Sequence, residues 1–203
     1  MTARVLIAED QTMVRQALVA LLELEDDIEV VAEAGSGAEA LAMATAHRPD
    51  VAVLDIEMPA PGGLEVAREL TATGFGGKIV IVTTFGRPGY LRAAMAAGAS
   101  GFLLKDAPAA ELATAIRRVL AGQRVVDPAL AVTALAEGKS PLTQRETEVL
   151  AAAARSHDTI PAVAGRLHLS QGTVRNHLSA SIHKLGARNR AEAVEIAQDK
   201  GWL

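Results

Sequence analysis

Glu9-Asp10, Asp55, Thr83 and Lys105 each stand at or just beyond the end of a short apolar run. Three carboxylates brought together repel one another and need a cation. Oxygen-only donors with room for water suit Mg2+. An aspartate held beside such a cation can attack phosphorus and form an aspartyl-phosphate. The cation and an ammonium then neutralise the transferred phosphoryl oxygens, and a hydroxyl can turn to hydrogen-bond the new group. Each residue alone has an ordinary explanation. A strand-end Asp is usually a turn or helix cap, Thr83 is common strand composition, and Lys105 could be a solvated loop residue. All of them reaching one edge of one sheet is not ordinary.

The elements that would bring them there are legible. Val5–Ala8, Ile28–Ala32, Val51–Leu54, Ile79–Val82 and Gly101–Leu104 are short, continuously apolar runs, as expected for strands buried on both faces. Between them lie helical stripes, such as Val14, Leu18, Leu21 and Leu22, or Leu112, Ile116, Val119 and Leu120. Alternating strands and helices mean a doubly wound α/β domain with a five-stranded parallel sheet, flavodoxin-like in size. In such a sheet the ligand crevice lies at the carboxyl ends of the strands, where strand order reverses. In that order the strands ending at Asp10 and Asp55 are neighbours.

The 203-residue chain has a net charge of −4 and no cysteine, which excludes disulfides and thiolate metal sites. The charge is uneven. Residues 1–122 carry −6, residues 123–139 are neutral and residues 140–203 carry +2. The start of the chain lacks signal-peptide patterning, and no apolar run approaches the roughly 20 residues of a membrane helix. A cytoplasmic protein without membrane insertion is expected.

Three segments follow from these patterns: a domain over 1–122, a linker with one short helix over 123–139, and a small all-α domain over 140–203. In the last, Thr143 with Glu146 reads as a capping box, Pro161 suits a first helical turn, and Ser170 and Asn189 read as N-caps.

The front segment resembles a response-regulator receiver domain of the NarL/FixJ type. The resemblance makes Asp55 the phosphoacceptor, Glu9, Asp10 and Asp55 the Mg2+ ligands, and Thr83, Lys105 and Phe102 the phosphoryl switch. Gly63 falls in the turn after Met58-Pro59. Two positions depart from the common receiver pattern: Asp106 follows the lysine, and Thr84 follows the switch threonine, where a bulkier side chain narrows access to the acyl phosphate.

The back segment, "PLTQRETEVL" through "RNRAEAV", resembles a LuxR-type helix-turn-helix. A recognition helix over Gln171–Lys184 is expected in the major groove. Arg175, Asn176 and Ser179 on its groove face are candidates to read bases, and Lys184, Arg188 and Arg190 to contact phosphates. The helix entry "ARSHDTIPAVA" is one residue longer than usual for the family.

The resemblance implies a two-component response regulator. A sensor histidine kinase phosphorylates Asp55, a homodimer forms, often through helices 1 and 5, and the dimer binds a double-stranded DNA operator. The last helix, around Asn189–Ala197, is the expected contact between DNA-bound subunits. "LEDDIEVV", "DIEMP", "TTFGRPGY" and "DKGWL" further resemble DesR-type regulators, which work with a membrane-fluidity-sensing kinase and control a fatty-acid desaturase. Two rivals differ in class. A small aspartyl-phosphate hydrolase usually has a second Asp two residues beyond its nucleophile, where Glu57 stands here. A constitutive DNA-binding protein with a degenerate receiver would lack the full acidic set. The expectation is a regulator, not an enzyme acting on an external substrate.

Overall fold

The computed structural model describes residues 2–84, 86–128, 130–132, 140–154 and 159–203. Its contacts divide into two compact units, one of Met1–Gly86 with Leu91–Ala131, the other of Arg87–Tyr90 with Val132–Leu203.

The first unit is built on six parallel strands in the order β2-β1-β3-β4-β5-β6. They are β1 (Ala3–Ala8), β2 (Ile28–Ala34), β3 (Val51–Asp55), β4 (Lys78–Thr83), β5 (Gly101–Leu104) and β6 (Val125–Val126). All five expected strands form, and two of them extend to include Asp55 and Thr83. The sixth is an addition: Val125 and Val126 pair with Gly101 and Phe102. Two residues give no periodicity, so only the exposed edge of β5 defines this strand.

The intervening helices are α1 (Thr12–Leu22), α2 (Gly37–His47), α3 (Gly63–Ala72), α4 (Pro88–Ala96) and α5 (Ala109–Leu120). Parallel strands need crossover helices, and these cover the sheet so completely that Val5, Leu6, Ile7, Val51, Ala52 and Leu54 have no exposed surface. Val5, Ile7, Val53, Val80 and Val82 pack with Leu22 of α1 and with Leu112, Ile116 and Val119 of α5. Leu6, Leu54, Ile81 and Phe102, the alternate strand positions, point to the opposite face and are equally buried.

The strand order reverses between β1 and β3, which are direct neighbours with Ile7 opposite Val53 and Ala8 opposite Leu54. The crevice expected at that point therefore opens beside Glu9-Asp10 and Asp55.

The second unit carries α6 (Gln144–Ala153), α7 (Ile160–Leu167), α8 (Gln171–Leu185) and α9 (Arg190–Asp199). Its caps form as the sequence suggests. Thr143 and Glu146 close a reciprocal capping box, Ser170 accepts from the Thr173 N–H, and Asn189 accepts from the Glu192 N–H. Pro161 lies in the first turn of α7, and Thr159 caps that helix. Val149, Leu150, Val163, Val174, Leu178, Ala193 and Ala197 form the core. Of the helix expected within "ALAVTALAE", residues 130–132 are helical, while residues 129 and 133–137 lie outside the described residues, as does 155–158 of the lengthened helix entry.

Candidate functional site

β3 delivers Asp55 to the sheet edge with its side chain in the crevice. The chain then turns so tightly that a Cβ at Gly63 would collide with the Asp55 carbonyl. Glycine is required there, and the close approach holds the start of α3 against the main chain of Asp55. Asp55 is only 4% exposed and Glu9 1%, while Asp10 is exposed to solvent. The three offer carboxylate oxygens that all lie within 4.8 Å of one another.

Lys105, from the loop after β5, reaches into this cluster. Its Nζ lies 2.6 Å from Glu9 Oε2 and donates to Asp55 Oδ2 at 2.9 Å. Burial alone would lower the Lys105 pKa, but its pairing with Glu9 and Asp55 outweighs that and raises it. The amine is therefore held charged. The loop itself is fixed by the Lys105 N–H donating to the Thr83 carbonyl at 2.8 Å. Thr83 is fully buried at the end of β4, opposite Leu104. Phe102 is also fully buried, and Thr84 is exposed.

This geometry fits Mg2+. Three converging carboxylates, two of them buried, carry more charge than one ammonium offsets. Exposed Asp10 leaves a side open for the water ligands that Mg2+ retains.

Two residues that the sequence did not single out complete the surroundings. The Gln11 N–H donates to Glu9 Oε1 at 3.1 Å, and Arg15 Nη1 donates to the Glu9 main-chain carbonyl at 2.6 Å. Nothing in their spacing distinguishes them from other residues entering a helix.

In the second unit, α7, a three-residue turn over His168–Ser170 and α8 make a helix-turn-helix. His168 closes α7 in the left-handed region, with φ 52°. Val174 and Leu178 face the core, leaving Arg175, Asn176 and Ser179 exposed on the other side of α8. Those three share one outward face, as groove-reading residues must. The three phosphate candidates stand differently. Lys184 donates to buried Glu146 at 2.7 Å, joining α8 to the start of α6. Arg188 pairs with Glu192 while remaining well exposed. Arg190 begins α9 and is half-buried.

The Lys184 hydrogen bond, with the Thr143 N–H, holds the Glu146 carboxyl at about 2, far below its usual range. A depressed native pKa contributes stability above the unfolded value of about 4.3 and loses it as pH falls towards the native one. The helical unit should therefore weaken between about pH 5 and pH 2. Glu146→Gln should cost about 1–2 kcal/mol at neutral pH and flatten that acid dependence. Trp202, the single tryptophan, packs on this core and reports its unfolding by fluorescence.

Comparison with known proteins decides what these two sites belong to. Residues 5–117 match the response regulator receiver domain family, and residues 140–197 match the bacterial regulatory proteins of the luxR family. The chain is a LuxR-family response regulator. It is 48% identical to the transcriptional regulatory protein YvfU of Bacillus subtilis, over 98% of this chain and 99% of that protein. It is 47% identical to the transcriptional regulatory protein DesR of the same organism, over 98% of both. Among solved structures, response regulator ChrA of a heme-sensing two-component system matches with 34% identity and a TM-score of 0.58, covering 100% of this chain and 99% of that one. The two Bacillus relatives are transcriptional regulators, in keeping with a response regulator whose output is a DNA-binding domain. Among its described residues, no helix is long and apolar enough to cross a membrane.

Proposed function

We propose that this response regulator is switched by phosphorylation of Asp55 and that the phosphorylated form dimerises on DNA. The observation that carries this reading is the convergence of Glu9, Asp10 and Asp55, with Lys105 bridging two of them. An Asp55 oxygen attacks the phosphorus of a phosphohistidine on a partner kinase. The new O–P bond forms as the P–N bond breaks, and the imidazole leaves. Glu9, Asp10 and Asp55 would hold Mg2+, which when bound would supply neutralisation of the phosphoryl oxygens. Lys105 exchanges its carboxylate partners for a phosphoryl oxygen, and the Thr83 hydroxyl donates to another. Phe102, packed behind the same edge, moves with Thr83 and passes the change to the surface.

The dimer surface is assigned to α1 and α5. Leu21 and Leu120 on these helices are partly exposed, and Leu24, just beyond α1, is largely exposed. Dimerisation pairs two copies of α8 on a two-fold operator, with α9 as the contact between bound subunits. The domains are assigned as 1–122 and 140–203, joined by 123–139, of which Val125–Val126 adds an edge strand to the first domain's sheet. The likeness to DesR supports a regulon in membrane-lipid desaturation, and the chemistry belongs to the cytoplasm, where a kinase delivers the phosphoryl group.

The test is mass spectrometry of the protein after Mg2+ and a small-molecule phosphoryl donor, with genomic footprinting of the same samples. One phosphoryl group on Asp55 and stronger footprints are expected. Footprints that are independent of the donor would instead favour a constitutive DNA-binding protein.

The DNA contacts have their own expected outcome. Arg175→Ala and Asn176→Ala should each cost about 1–3 kcal/mol on the operator and relax preference at one base pair. Arg188→Ala should weaken operator and random DNA alike, and lower the salt slope by about one unit. Competition binding against salt concentration separates the two.

A further inference from the structure

We propose that Arg15 is a positioning residue for metal uptake: its guanidinium, steadied by Glu33, fixes the Glu9-Asp10 main chain and so aims two of the three carboxylates. The proposal deepens the metal-site reading above and rests on it.

Arg15 lies one turn into α1, and its side chain is only 17% exposed. Its Nη1 donates to the Glu9 carbonyl at 2.6 Å, and its Nε lies 3.4 Å from Glu33 Oε2 on β2. The acceptor decides the role. It is the peptide oxygen between the two acidic residues, so rotating that peptide plane redirects the Asp10 carboxylate. The other restraints on this turn come from neighbouring groups: the Glu9 N–H donates to Ala34 O, and Glu9 Oε1 accepts from the Gln11 N–H. Gln11, the N-cap of α1, makes no side-chain capping bond. Arg15 is thus the side chain that ties the metal-bearing turn to the helix.

A charge-assisted hydrogen bond is about twice as strong as a neutral one, which suits it to holding a turn beside mutually repelling carboxylates. Mg2+ demands near-octahedral geometry and tolerates misplaced ligands poorly, so loss of that restraint should appear as lost affinity. The opposite effect, relief of charge repulsion on removing a cation, is small because Glu33 already offsets the guanidinium. Outer groups that orient metal ligands typically change affinity by about 10–100-fold.

The experiment is calorimetric titration of MgCl2 into the full chain, parent and variants, with melting temperatures of the metal-free proteins. Arg15→Met keeps the apolar stem and should bind Mg2+ about 10-fold more weakly. Arg15→Lys, which can still donate to the carbonyl, should recover part of the loss. Glu33→Gln keeps the Arg15 bond but frees its other end, and should show a smaller loss in the same direction. A merely structural role would lower the melting temperature of Arg15→Met and leave Mg2+ affinity within about twofold of the parent, below the outer-group range; that result overturns the proposal. If the parent itself binds no Mg2+, the metal-site reading fails and this proposal with it. If the parent binds and Arg15→Met binds equally, only the role of Arg15 fails.

Discussion

Asp55→Asn should lower phosphoryl uptake from a small-molecule donor by about 1,000-fold or more, to background. An amide of the same shape offers no nucleophilic oxygen, and no neighbour can replace it. Glu9 is buried and faces Lys105, and Asp10 stands in the solvent-exposed turn after β1. The fold should persist. Asp55 ends β3 behind four fully packed residues, and Lys105 keeps its ion pair with Glu9. Radiolabel transfer, with circular dichroism as the control, reads both halves of the expectation. Labelling of Asp55→Asn at the parental rate would place the acceptor elsewhere.

Lys105→Met has the second large effect, and it runs in two directions. The ammonium lies 2.6 Å and 2.9 Å from the oxygens that would hold Mg2+. A dication held by the oxygens that this ammonium already contacts would stand about 5 Å from it, and at that range the two repel by several kcal/mol even at an effective dielectric constant of about 20. Removing Lys105 should therefore strengthen Mg2+ binding by about 10-fold or more. The phosphorylated variant should nevertheless fail to dimerise, because nothing links the phosphoryl oxygens to the β5 edge. Tighter metal with lost output separates Lys105 from a residue that only stabilises the fold, which would weaken both. Calorimetry with Mg2+ and sedimentation of the phosphorylated variant provide the two readings.

What could be read from the sequence, and what could not, divides by the range of the interaction. Val51–Leu54 announced a buried strand because both faces of a parallel sheet are covered, and Asp55 was legible as its end. The Thr143–Glu146 box and the Ser170 and Asn189 caps were legible because a cap is decided within three or four residues. β6 was not, since Val125 and Val126 become a strand only when β5 offers an edge. The Lys184–Glu146 bond spans 38 positions. It turns a residue that reads as a phosphate contact into one that also joins two helices. Arg15 was invisible for a related reason: its partner is a main-chain carbonyl, which every residue has, so no pairing of residue types marks it. Thr159 caps α7 directly before Ile160-Pro161, a pattern that could have been found from the proline.

A single handle, the phosphoryl group on Asp55, is held to control assembly of the whole chain. Sedimentation velocity of the full chain, parent and Asp55→Ala, with and without Mg2+ and beryllofluoride, tests this most directly. Beryllofluoride stands in for the phosphoryl group on the carboxylate. The parent should shift from monomer to dimer only when both additions are present, and Asp55→Ala should remain monomeric under every condition. An Asp55→Ala protein that dimerises on treatment as the parent does contradicts a switch thrown at Asp55.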